Sequence, residues 1–495
     1  MKTESHTVRA DEREWQELLE SVRSGRPVRL DSREVQPGDV FVALRGAHQD
    51  GARFVPDALN RGAAIVVGPE HIELPEESRA RLFRRADLQD SLGDLARASF
   101  GTERLSALLI GITGTNGKTT VAYMLERLFR EAGRSVGVIG TVSYRWPGHE
   151  SPAALTTPDC LTLHALLSRM DRRGVDVVCM EVSSHALDQG RIAGLDFGVA
   201  LFTNLSQDHL DYHADMEEYY LAKAKLFGGA GRSQPRAVLN LDDTYGYRLA
   251  QELPQGLGFS LQGRSNPRGE ALQAHILAAS RRGLHLDMRF NSRHWEITSP
   301  LIGRHNASNL SAAQAAGLAA GLSVADMKAL NGFTGVPGRL EKVSNEKDLH
   351  IFVDYAHTPD ALENVLSSVR SLDINRLFVV FGCGGDRDRT KRPLMGRAVA
   401  KHADVAVLTS DNPRNEEPEA IMRDVLPGLT GSIRLIQEAD RRAAIACALQ
   451  EITPEDALII AGKGHEDYQE VCGQRHPFSD VQVVRELLDH AHDLG

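Results

Sequence analysis

The sequence lacks several features that mark other classes of protein. Its five cysteines are scattered and form no CxxC pair, and an odd number without a framework indicates reduced thiols in a cytosolic protein. The first residues contain no apolar stretch of the secretory kind, and no apolar run approaches the roughly 18 residues of a membrane span. The formal net charge of −10 leaves no basic excess to displace counterions from nucleic acid. We therefore expect a soluble, cytoplasmic protein that neither enters membranes nor binds nucleic acid.

The length and composition are those of a multidomain globular protein. The chain has 495 residues, of which 42% are hydrophobic and 25% are charged. At roughly 150 residues per domain, this length corresponds to about three domains. We expect a first unit over residues 1–103, a central unit over 104–337 and a third unit over 338–495. Each unit reads as α/β.

A glycine-rich stretch opens the central unit. Gly111 to Thr120 reads GITGTNGKTT, follows the apolar run 107–110 and precedes a stretch with helical periodicity. Strand, glycine turn and helix start in this order build a phosphate cradle, because backbone N–H groups and the helix dipole face the anion. Lys118 can reach the β- and γ-phosphates, and a hydroxyl of Thr119 or Thr120 can bind Mg²⁺. We interpret the stretch as a nucleotide site, the alternative being a glycine-rich turn with a solvated lysine.

Polar residues follow the strands that come next in the central unit. Near-continuous apolar runs over 135–143, 176–182 and 197–205 are typical of a parallel sheet covered on both faces. Ligands of such sheets gather at the carboxyl ends of strands, where Glu181 and, just beyond another strand, His209 are expected. A carboxylate and an imidazole are reasonable Mg²⁺ ligands, although magnesium prefers oxygen. A structural role for His209 is an equal alternative.

Two later stretches of the central unit hold further candidates. Asp215 to Phe227 is a predicted helix, and by pattern alone its Lys223 is solvated. The segment 303–309 precedes an alanine-rich helical run, and the amide of Asn309 can either donate to a base or cap that helix.

The first unit is predicted to bind rather than to react, because it carries no catalytic constellation. Its strands are expected at 28–33, where the strand turns into a loop, at 40–44 and at 63–68. The polar loop 46–51 between the last two can hold a ligand or form a surface turn.

In the third unit, four predicted strands each run into a polar loop. The strands are 350–353, 377–381, 405–408 and 458–461, and the loops are 354–357, 382–392, 411–414 and 462–466. These loops should cluster on one edge of a parallel sheet. Arg387 and Arg414 can each grip a carboxylate through two hydrogen bonds, and Glu466 can accept from an ammonium, which suits an amino-acid-like ligand. The acidic run 416–419 is expected to be a solvated helix start without a role.

Seven motifs occur together and in the order found in the Mur ligase family. They are GTNGKTT, EVSSHAL, DHLDYH, EYYLAKAKLF, GRHNASN, PGRLE and DYAHTPD. The sequence resembles this family over essentially its whole length. The resemblance implies an α/β fold of three domains, in which a central P-loop-type parallel-sheet ATPase domain lies between a small N-terminal α/β domain and a Rossmann-like C-terminal domain.

The resemblance also assigns site residues by position. The residues implied to bind ATP are Gly114, Thr115, Asn116, Gly117, Lys118, Thr119, Thr120, Asn309, Arg339, Asp354 and His357. Those implied to bind the UDP-muramoyl-dipeptide are Leu30, Ser32, Ala47, His48, Gln49, Thr156, Thr157, Ser183, Gln189 and Arg191. Those implied to bind meso-diaminopimelate are Arg387, Asp411, Asn412, Pro413, Arg414, Gly462 and Glu466. Mg²⁺ is implied at Thr119, Glu181, His209 and Lys223, and the family carries this lysine as a carbamate (N6-carboxylysine), so Lys223 changes from a surface residue to a site residue.

The family chemistry implied is ATP-dependent amide-bond formation in cytoplasmic peptidoglycan precursor synthesis. Lys118, Lys223, Glu181 and His209 are the expected catalytic residues, with ATP as co-substrate, Mg²⁺ as cofactor, small-molecule substrates as partners and a monomeric protein. The sequence 411–414 (DNPR) resembles the family's motif for meso-diaminopimelate, whose second carboxylate an arginine can pair with. A lysine-adding relative, a folate polyglutamate ligase and a nucleotide-binding scaffold without catalysis are the alternatives.

Overall fold

The protein is described by a computed structural model that contains three main β-sheets along the chain. The structure describes residues 2–44, 46, 49–76, 78–210, 212–228, 234–253, 255–431 and 433–490, without the side chains of 2–11 and 490. In these ranges no helix has both the length and the apolar character that crossing a bilayer requires. All five cysteines are free thiols.

The first sheet has four parallel strands in the order β1-β2-β3-β4. Its elements are α1 (Lys2–Arg23), β1 (Val28–Arg29), β2 (Val40–Val42), α2 (Val55–Asn60), β3 (Ile65–Gly68), β4 (Arg81–Arg84) and α3 (Leu88–Phe100). The three predicted strands are present in shortened form. β4 escapes prediction because only Phe83 of its four residues is buried, so the strand has no apolar run in the sequence.

The second sheet has eleven strands, with β5 near its middle, in the order β15-β14-β13-β12-β11-β10-β5-β9-β6-β7-β8. Its strands are β5 (Leu108–Thr113), β6 (Val136–Ile139), β7 (Ser143–Trp146), β8 (His149–Pro152), β9 (Val177–Glu181), β10 (Val199–Phe202), β11 (Arg236–Asn240), β12 (Gly256–Ser260), β13 (Glu270–Ser280), β14 (Gly283–Phe290) and β15 (Arg293–Ser299). The strands from β13 to β6 in this order are parallel, and antiparallel ribbons extend both ends.

The helices of the central unit cover both faces of the parallel part of this sheet. They are α4 (Lys118–Glu131), α5 (Cys160–Arg172), α6 (Ser184–Asp188), α7 (Met216–Ala224), α8 (Thr244–Glu252) and α9 (Arg304–Ala319). Along β5, Ile110 and Ile112 pack with α4 and α9, whereas Leu109 packs on the opposite face with α5. This arrangement explains the unbroken apolar run, because a strand buried on both faces needs no polar alternation.

Two expectations for the central unit need correction. The run 135–143 is not one strand, because β6 ends at Ile139 and the chain turns back antiparallel in β7. The segment 303–309 does not precede its helix but forms the first turns of α9, which begins at Arg304. The helix predicted from Asp215 is confirmed as α7 followed by a short 3₁₀ turn, and the Asp215 carboxylate caps its first turn.

The third sheet has the order β16-β17-β21-β18-β19-β20, with only β16 antiparallel. The elements of this part of the chain are β16 (Glu341–Lys342), β17 (His350–Asp354), α10 (Pro359–Arg370), β18 (Leu377–Phe381), α11 (Lys391–His402), β19 (Val405–Leu408), α12 (Pro418–Val425), β20 (Arg434–Gln437), α13 (Arg441–Glu451), β21 (Ala457–Ala461), β22 (Tyr468–Val471), β23 (Gln474–Pro477) and α14 (Asp480–His490). β22 and β23 form a separate two-stranded antiparallel sheet. The four predicted strands are confirmed to within a residue. Their polar loops lie together at the carboxyl edge.

Candidate active site

The loop between β5 and α4 is shaped to hold an anion. α4 begins at Lys118, and no described side chain caps its first N–H groups. The backbone is left-handed at Gly114 (φ 146°) and Gly117 (φ 87°), a conformation that side chains rarely adopt. A side chain at Gly117 would also collide with the amide oxygen of Asn309 from α9. Uncapped N–H groups at a helix N-terminus, approached by a glycine loop, fit a phosphate group.

Two lysine amines meet on one carbonyl of this loop. Nζ of Lys118 donates to the carbonyl oxygens of Gly114 (2.8 Å) and Thr115 (2.9 Å), and Nζ of Lys223 donates to Gly114 as well (3.0 Å). Burial lowers the pKa of Lys118, and burial together with the Lys118 charge holds the pKa of Lys223 well below its ordinary value. Lys223 is only 1% exposed, so the prediction of a solvated lysine is wrong. The neutral amine that this environment favours is the form that can take up carbon dioxide.

The buried carboxylate of Glu181 ends β9 beside the start of α4. Its Oε2 accepts from the hydroxyls of Thr119 (2.9 Å) and Thr141 (3.0 Å), and its Oε1 accepts from the Thr141 N–H (2.9 Å). The Thr119 hydroxyl and the Glu181 carboxylate are oxygen ligands of the kind Mg²⁺ prefers, so this pair fits the metal implied by the family.

His209 lies within an aromatic cluster. Its ring centroid is 4.9 Å from that of His185 and 5.9 Å from that of Tyr219, whose ring Nζ of Lys223 approaches to 4.4 Å. Nε2 of His209 is 3.5 Å from a carboxylate oxygen of Asp208. Among the described residues no three His, Cys, Asp or Glu side chains are disposed as a metal site. The Mg²⁺ that the family resemblance implies at His209 would take its oxygens from a carboxylated Lys223, because a bare amine is not an oxygen ligand.

One residue of the third unit, Arg339, lies near enough to the phosphate loop to act on it electrostatically. The Arg339 charge adds to burial in lowering the pKa of Lys118, and its guanidinium carbon is 4.8 Å from the Tyr355 ring centroid. Both oxygens of the buried Asp354 accept backbone N–H groups, from Leu340 (2.7 Å) and Ala356 (2.7 Å), so Asp354 fixes the turn that carries Arg339.

The remaining residues expected at ATP differ in how they are held. His357 is exposed, and its Nδ1 lies 2.8 Å from the Tyr355 carbonyl oxygen. The Asn309 amide donates to Asn306 (3.2 Å) and does not cap α9, whose N-cap is Gly303. Its oxygen instead faces Gly117 in the phosphate loop.

The residues expected at the muramoyl-dipeptide form one network around the end of β9. The Thr156 hydroxyl is 3.1 Å from that of Thr141, and the Thr157 hydroxyl donates to the Glu181 carbonyl (2.8 Å) while accepting from the Ser183 N–H (3.1 Å). Arg191 donates to the Thr157 carbonyl (2.9 Å) and to the Gln189 amide oxygen (2.7 Å). The network adjoins the Glu181 carboxylate, so a ligand there would lie next to the phosphate loop.

The residues expected at the uridine diphosphate lie in the first unit. Ser32 is buried after β1, Leu30 is half-buried and Gln49 is exposed. Ala47 and His48 lie outside the described residues.

In the third unit, Asn412 is the centre of the predicted amino-acid site. Its amide donates to Glu466 (2.9 Å), and its oxygen accepts from the buried Lys463 amine (3.1 Å) and the Glu470 N–H (2.9 Å). The Lys463 amine also donates to Glu466 (3.2 Å). Lys463 and Glu470 belong to this hydrogen-bond network but were not singled out from the sequence, although the placement of Lys463 between two glycines after a strand was a signal.

Two arginines and a buried carboxylate line the same edge. Arg414 has a left-handed backbone (φ 52°), and its Nη1 donates to the Gly385 carbonyl (2.8 Å). The exposed Arg387 lies close by, since both arginine side chains border Gly384. A Cβ atom added to Gly384 would be 3.0 Å from Nη1 of Arg414 and 3.5 Å from Cγ of Arg387. Pro413 precedes Arg414. Asp411 has one buried oxygen without a described partner, and that oxygen faces Gly462 (φ 115°).

The expectation that the acidic run 416–419 is merely solvated is wrong for Glu416. Its carboxylate makes a two-point ion pair with the buried Arg392 (2.7 and 2.9 Å) and accepts from the Asp386 N–H (2.6 Å). The error arose because the partners are 24 and 30 residues away in the chain.

Comparison with known proteins agrees with this geometry. Three family models match: the Mur ligase family catalytic domain over residues 26–99, the Mur ligase middle domain over 112–317 and the Mur ligase glutamate ligase domain over 338–464. Two curated relatives bear the name UDP-N-acetylmuramoyl-L-alanyl-D-glutamate--2,6-diaminopimelate ligase. The relative from Lawsonia intracellularis is 52% identical over 93% of this chain and 95% of its own length, and that from Aquifex aeolicus is 44% identical over 93% of each.

Solved structures are similar over the same extent. A structure of a protein with that same name is 36% identical, with a TM-score of 0.67 over 94% of this chain and 95% of its own. The MurF ligase of Thermotoga maritima in complex with ADP shares the fold at 20% identity, with a TM-score of 0.58 over 95% of this chain and 98% of its own. The resemblance and the α/β fold predicted from the seven motifs are thus confirmed, and the chain belongs to the Mur ligase family.

Proposed function

We propose that the chain joins meso-2,6-diaminopimelate to the D-glutamate carboxyl group of UDP-N-acetylmuramoyl-L-alanyl-D-glutamate, with ATP converted to ADP and phosphate. The relatives of 44% and 52% identity bear the name of this ligase. The observation that carries the proposal is that the side chains of Arg387 and Arg414 both pass close to Gly384, at the carboxyl edge of the third sheet where Asn412 and Glu466 also meet. Such an edge offers two cations for a carboxylate and acceptors for an ammonium.

ATP is proposed to lie between the phosphate loop and the turn that carries Arg339. Three kinds of donor face the phosphates. They are the N–H groups at the start of α4, the Lys118 amine and the Arg339 guanidinium. Mg²⁺, when bound at Thr119 and Glu181, supplies charge neutralisation for the transferred phosphoryl group. To reach that group, the Lys118 amine must break its hydrogen bonds to the Gly114 and Thr115 carbonyls. When ATP binds, phosphate oxygens therefore replace these carbonyls as the acceptors of the Lys118 amine.

The reaction proceeds by two substitutions. The D-glutamate carboxylate attacks the γ-phosphorus, the bond to the β-phosphate oxygen breaks, and an acyl phosphate and ADP result. The unprotonated amine of diaminopimelate then attacks the acyl carbon, and phosphate leaves as the amide forms. The network of Thr157, Gln189 and Arg191 would hold the muramoyl-dipeptide, with Leu30, Ser32 and the loop 46–51 at its uridine diphosphate. We propose a monomer of three domains over 1–103, 104–337 and 338–495.

The test is phosphate release with ATP, Mg²⁺ and UDP-muramoyl-L-Ala-D-Glu, with meso-diaminopimelate compared against L-lysine. We expect turnover with diaminopimelate and little with lysine, which lacks the second carboxylate. Arg414→Ala should remove this preference, whereas Arg423→Ala, which deletes an exposed arginine of α12, should keep it. Preference for lysine in the unaltered protein would refute the assignment of Arg414, and phosphate release without either amine would refute coupled ligation.

A further inference from the structure

The two loops that carry Arg387 and Arg414 are joined by several hydrogen bonds. The Gly385 N–H donates to the Asn412 carbonyl (2.9 Å), and the Arg414 guanidinium donates to the Gly385 carbonyl (2.8 Å). The Asn415 amide donates to the Asp386 carboxylate (2.7 Å). Asp386 (φ 54°) and Arg414 (φ 52°) are both left-handed, although neither is glycine. Such conformations persist only where the surroundings hold them.

A buried arginine, Arg392, links these two loops through hydrogen bonds. Arg392, in the first turn of α11, is 1% exposed, and its guanidinium donates to both oxygens of Glu416, to Asp424 (2.8 Å) and to the Gly384 carbonyl (3.2 Å). Glu416 in turn accepts from the Asp386 N–H. One guanidinium thus contacts the Gly384 loop directly and, through Glu416, the loop after Arg414.

The position of Arg392 is hard to explain by stability alone. A cation in the first turn of a helix is unfavourable to the helix dipole, and a buried ion pair is weak evidence of net stabilisation because desolvation offsets the attraction. The two parallel hydrogen bonds from the Arg392 guanidinium, by contrast, fix the orientation of the guanidinium plane relative to the Glu416 carboxylate plane. The Arg392 guanidinium holds the pKa of Glu416 at about 2, so the pair stays ionised throughout the neutral range.

We propose that the Arg392–Glu416 pair is a specificity device, which sets the separation of Arg387 and Arg414 so that both fit the far carboxylate of the amino-acid substrate. The inference rests on the proposed function. Neither residue of the pair touches the substrate, so both are positioning residues. Loosening the pair lets the two loops separate, which weakens recognition of a far carboxylate and leaves ATP and the UDP substrate unaffected.

Glu416→Gln is the main test, because it keeps the shape of a side chain that is 24% exposed but removes the charge and one acceptor. We expect the KM for meso-diaminopimelate to rise about tenfold, with kcat and the KM for ATP changed less than about twofold. Selectivity for diaminopimelate over L-lysine should fall about tenfold as well. Arg392→Lys keeps the charge but loses the fork, and we expect the same loss of selectivity.

Arg389→Ala is the matched control. Arg389 pairs with the same Asp424 (2.9 Å), but its side chain is 66% exposed, and its loss should leave selectivity unchanged. If Glu416 has only a structural role, Glu416→Gln reduces the use of diaminopimelate and of lysine in equal proportion. Unchanged selectivity of this kind, with or without lower activity, overturns the inference. Failure of the proposed function is a separate result, since the unaltered protein would then show no preference for diaminopimelate.

Discussion

The buried ion pair between Arg441 and Asp480 gives the sharpest prediction for stability. Both side chains are 0% exposed, and the two hydrogen bonds between them are each 2.8 Å long. The guanidinium also donates to the carbonyls of Ser410 (3.3 Å) and Ala461 (2.9 Å), which directly precede the loops of the amino-acid site. The pair therefore joins helices α13 and α14 to the carboxyl ends of β19 and β21.

Asp480→Ala leaves the Arg441 charge buried with only two backbone acceptors. Breaking a buried pair from one side costs about 3–5 kcal/mol, because the remaining charge has lost its partner but not its desolvation. The same two helices carry a surface pair, Arg442 and Glu486, with side chains 42% and 40% exposed. Glu486→Ala should cost less than about 1 kcal/mol, because solvent screens such a pair.

Native-state hydrogen exchange is the suitable assay, because a protein with three sheets need not unfold in one step. Amides of β19 and β21 report the opening free energy of the third sheet by itself. We expect exchange in Asp480→Ala to be faster by a factor of about 10² to 10⁴, and exchange in Glu486→Ala to be near that of the unaltered protein. Equal effects of the two substitutions would refute the reasoning that burial of the pair determines its contribution.

Two further predictions concern pH and ATP. Burial lowers the pKa of His164 from 6.5 to about 4, so the unfolded chain binds a proton that the folded chain excludes, and stability falls as pH decreases through this window by up to about 3 kcal/mol. The opening free energy that native-state exchange of the α5 amides reports should therefore drop less in His164→Gln than in the unaltered protein between about pH 7 and about pH 4.5, and equal drops would contradict this cause. Gly117→Ala forces a left-handed alanine (φ 87°) against Asn309 and should raise the KM for ATP about tenfold or more, whereas Gly133→Ala, at φ 76° in open space at the far end of α4, should not. A KM for ATP in Gly117→Ala no higher than that in Gly133→Ala would refute the role given to the shape of the phosphate loop.

Local patterns in the sequence were sufficient for the parts of the fold that local physics controls. The strands 377–381 and 405–408 are found within their predicted limits. A short uninterrupted apolar run is typical of a parallel strand that is buried on both faces of its sheet. The helix after Asp215 begins where its capping carboxylate predicts. The phosphate loop was recognisable for the same reason, since its glycines, lysine and helix start are neighbours in the chain.

Contacts between distant residues were not accessible in this way. By pattern alone Lys223 is a surface lysine, and only the fold brings it to the Gly114 carbonyl, 109 residues away. Glu416 lies in an acidic run typical of a solvated helix start, but its partner Arg392 lies in helix α11, 24 residues earlier in the chain. The break between β6 and β7 was missed because the connection, residues 140–142 (Gly-Thr-Val), is short and contains neither a proline nor a charged residue.

The sequence by itself determined the α/β class, the positions of the main strands along the chain and the residue types that carry the chemistry. The tertiary structure decided which charges are buried, which of them meet, and that the loops of Arg387 and Arg414 come together at Gly384. The physical reason is that periodicity and turn chemistry act over a few residues, whereas desolvation and ion pairing depend on the sheet edge to which each loop is brought.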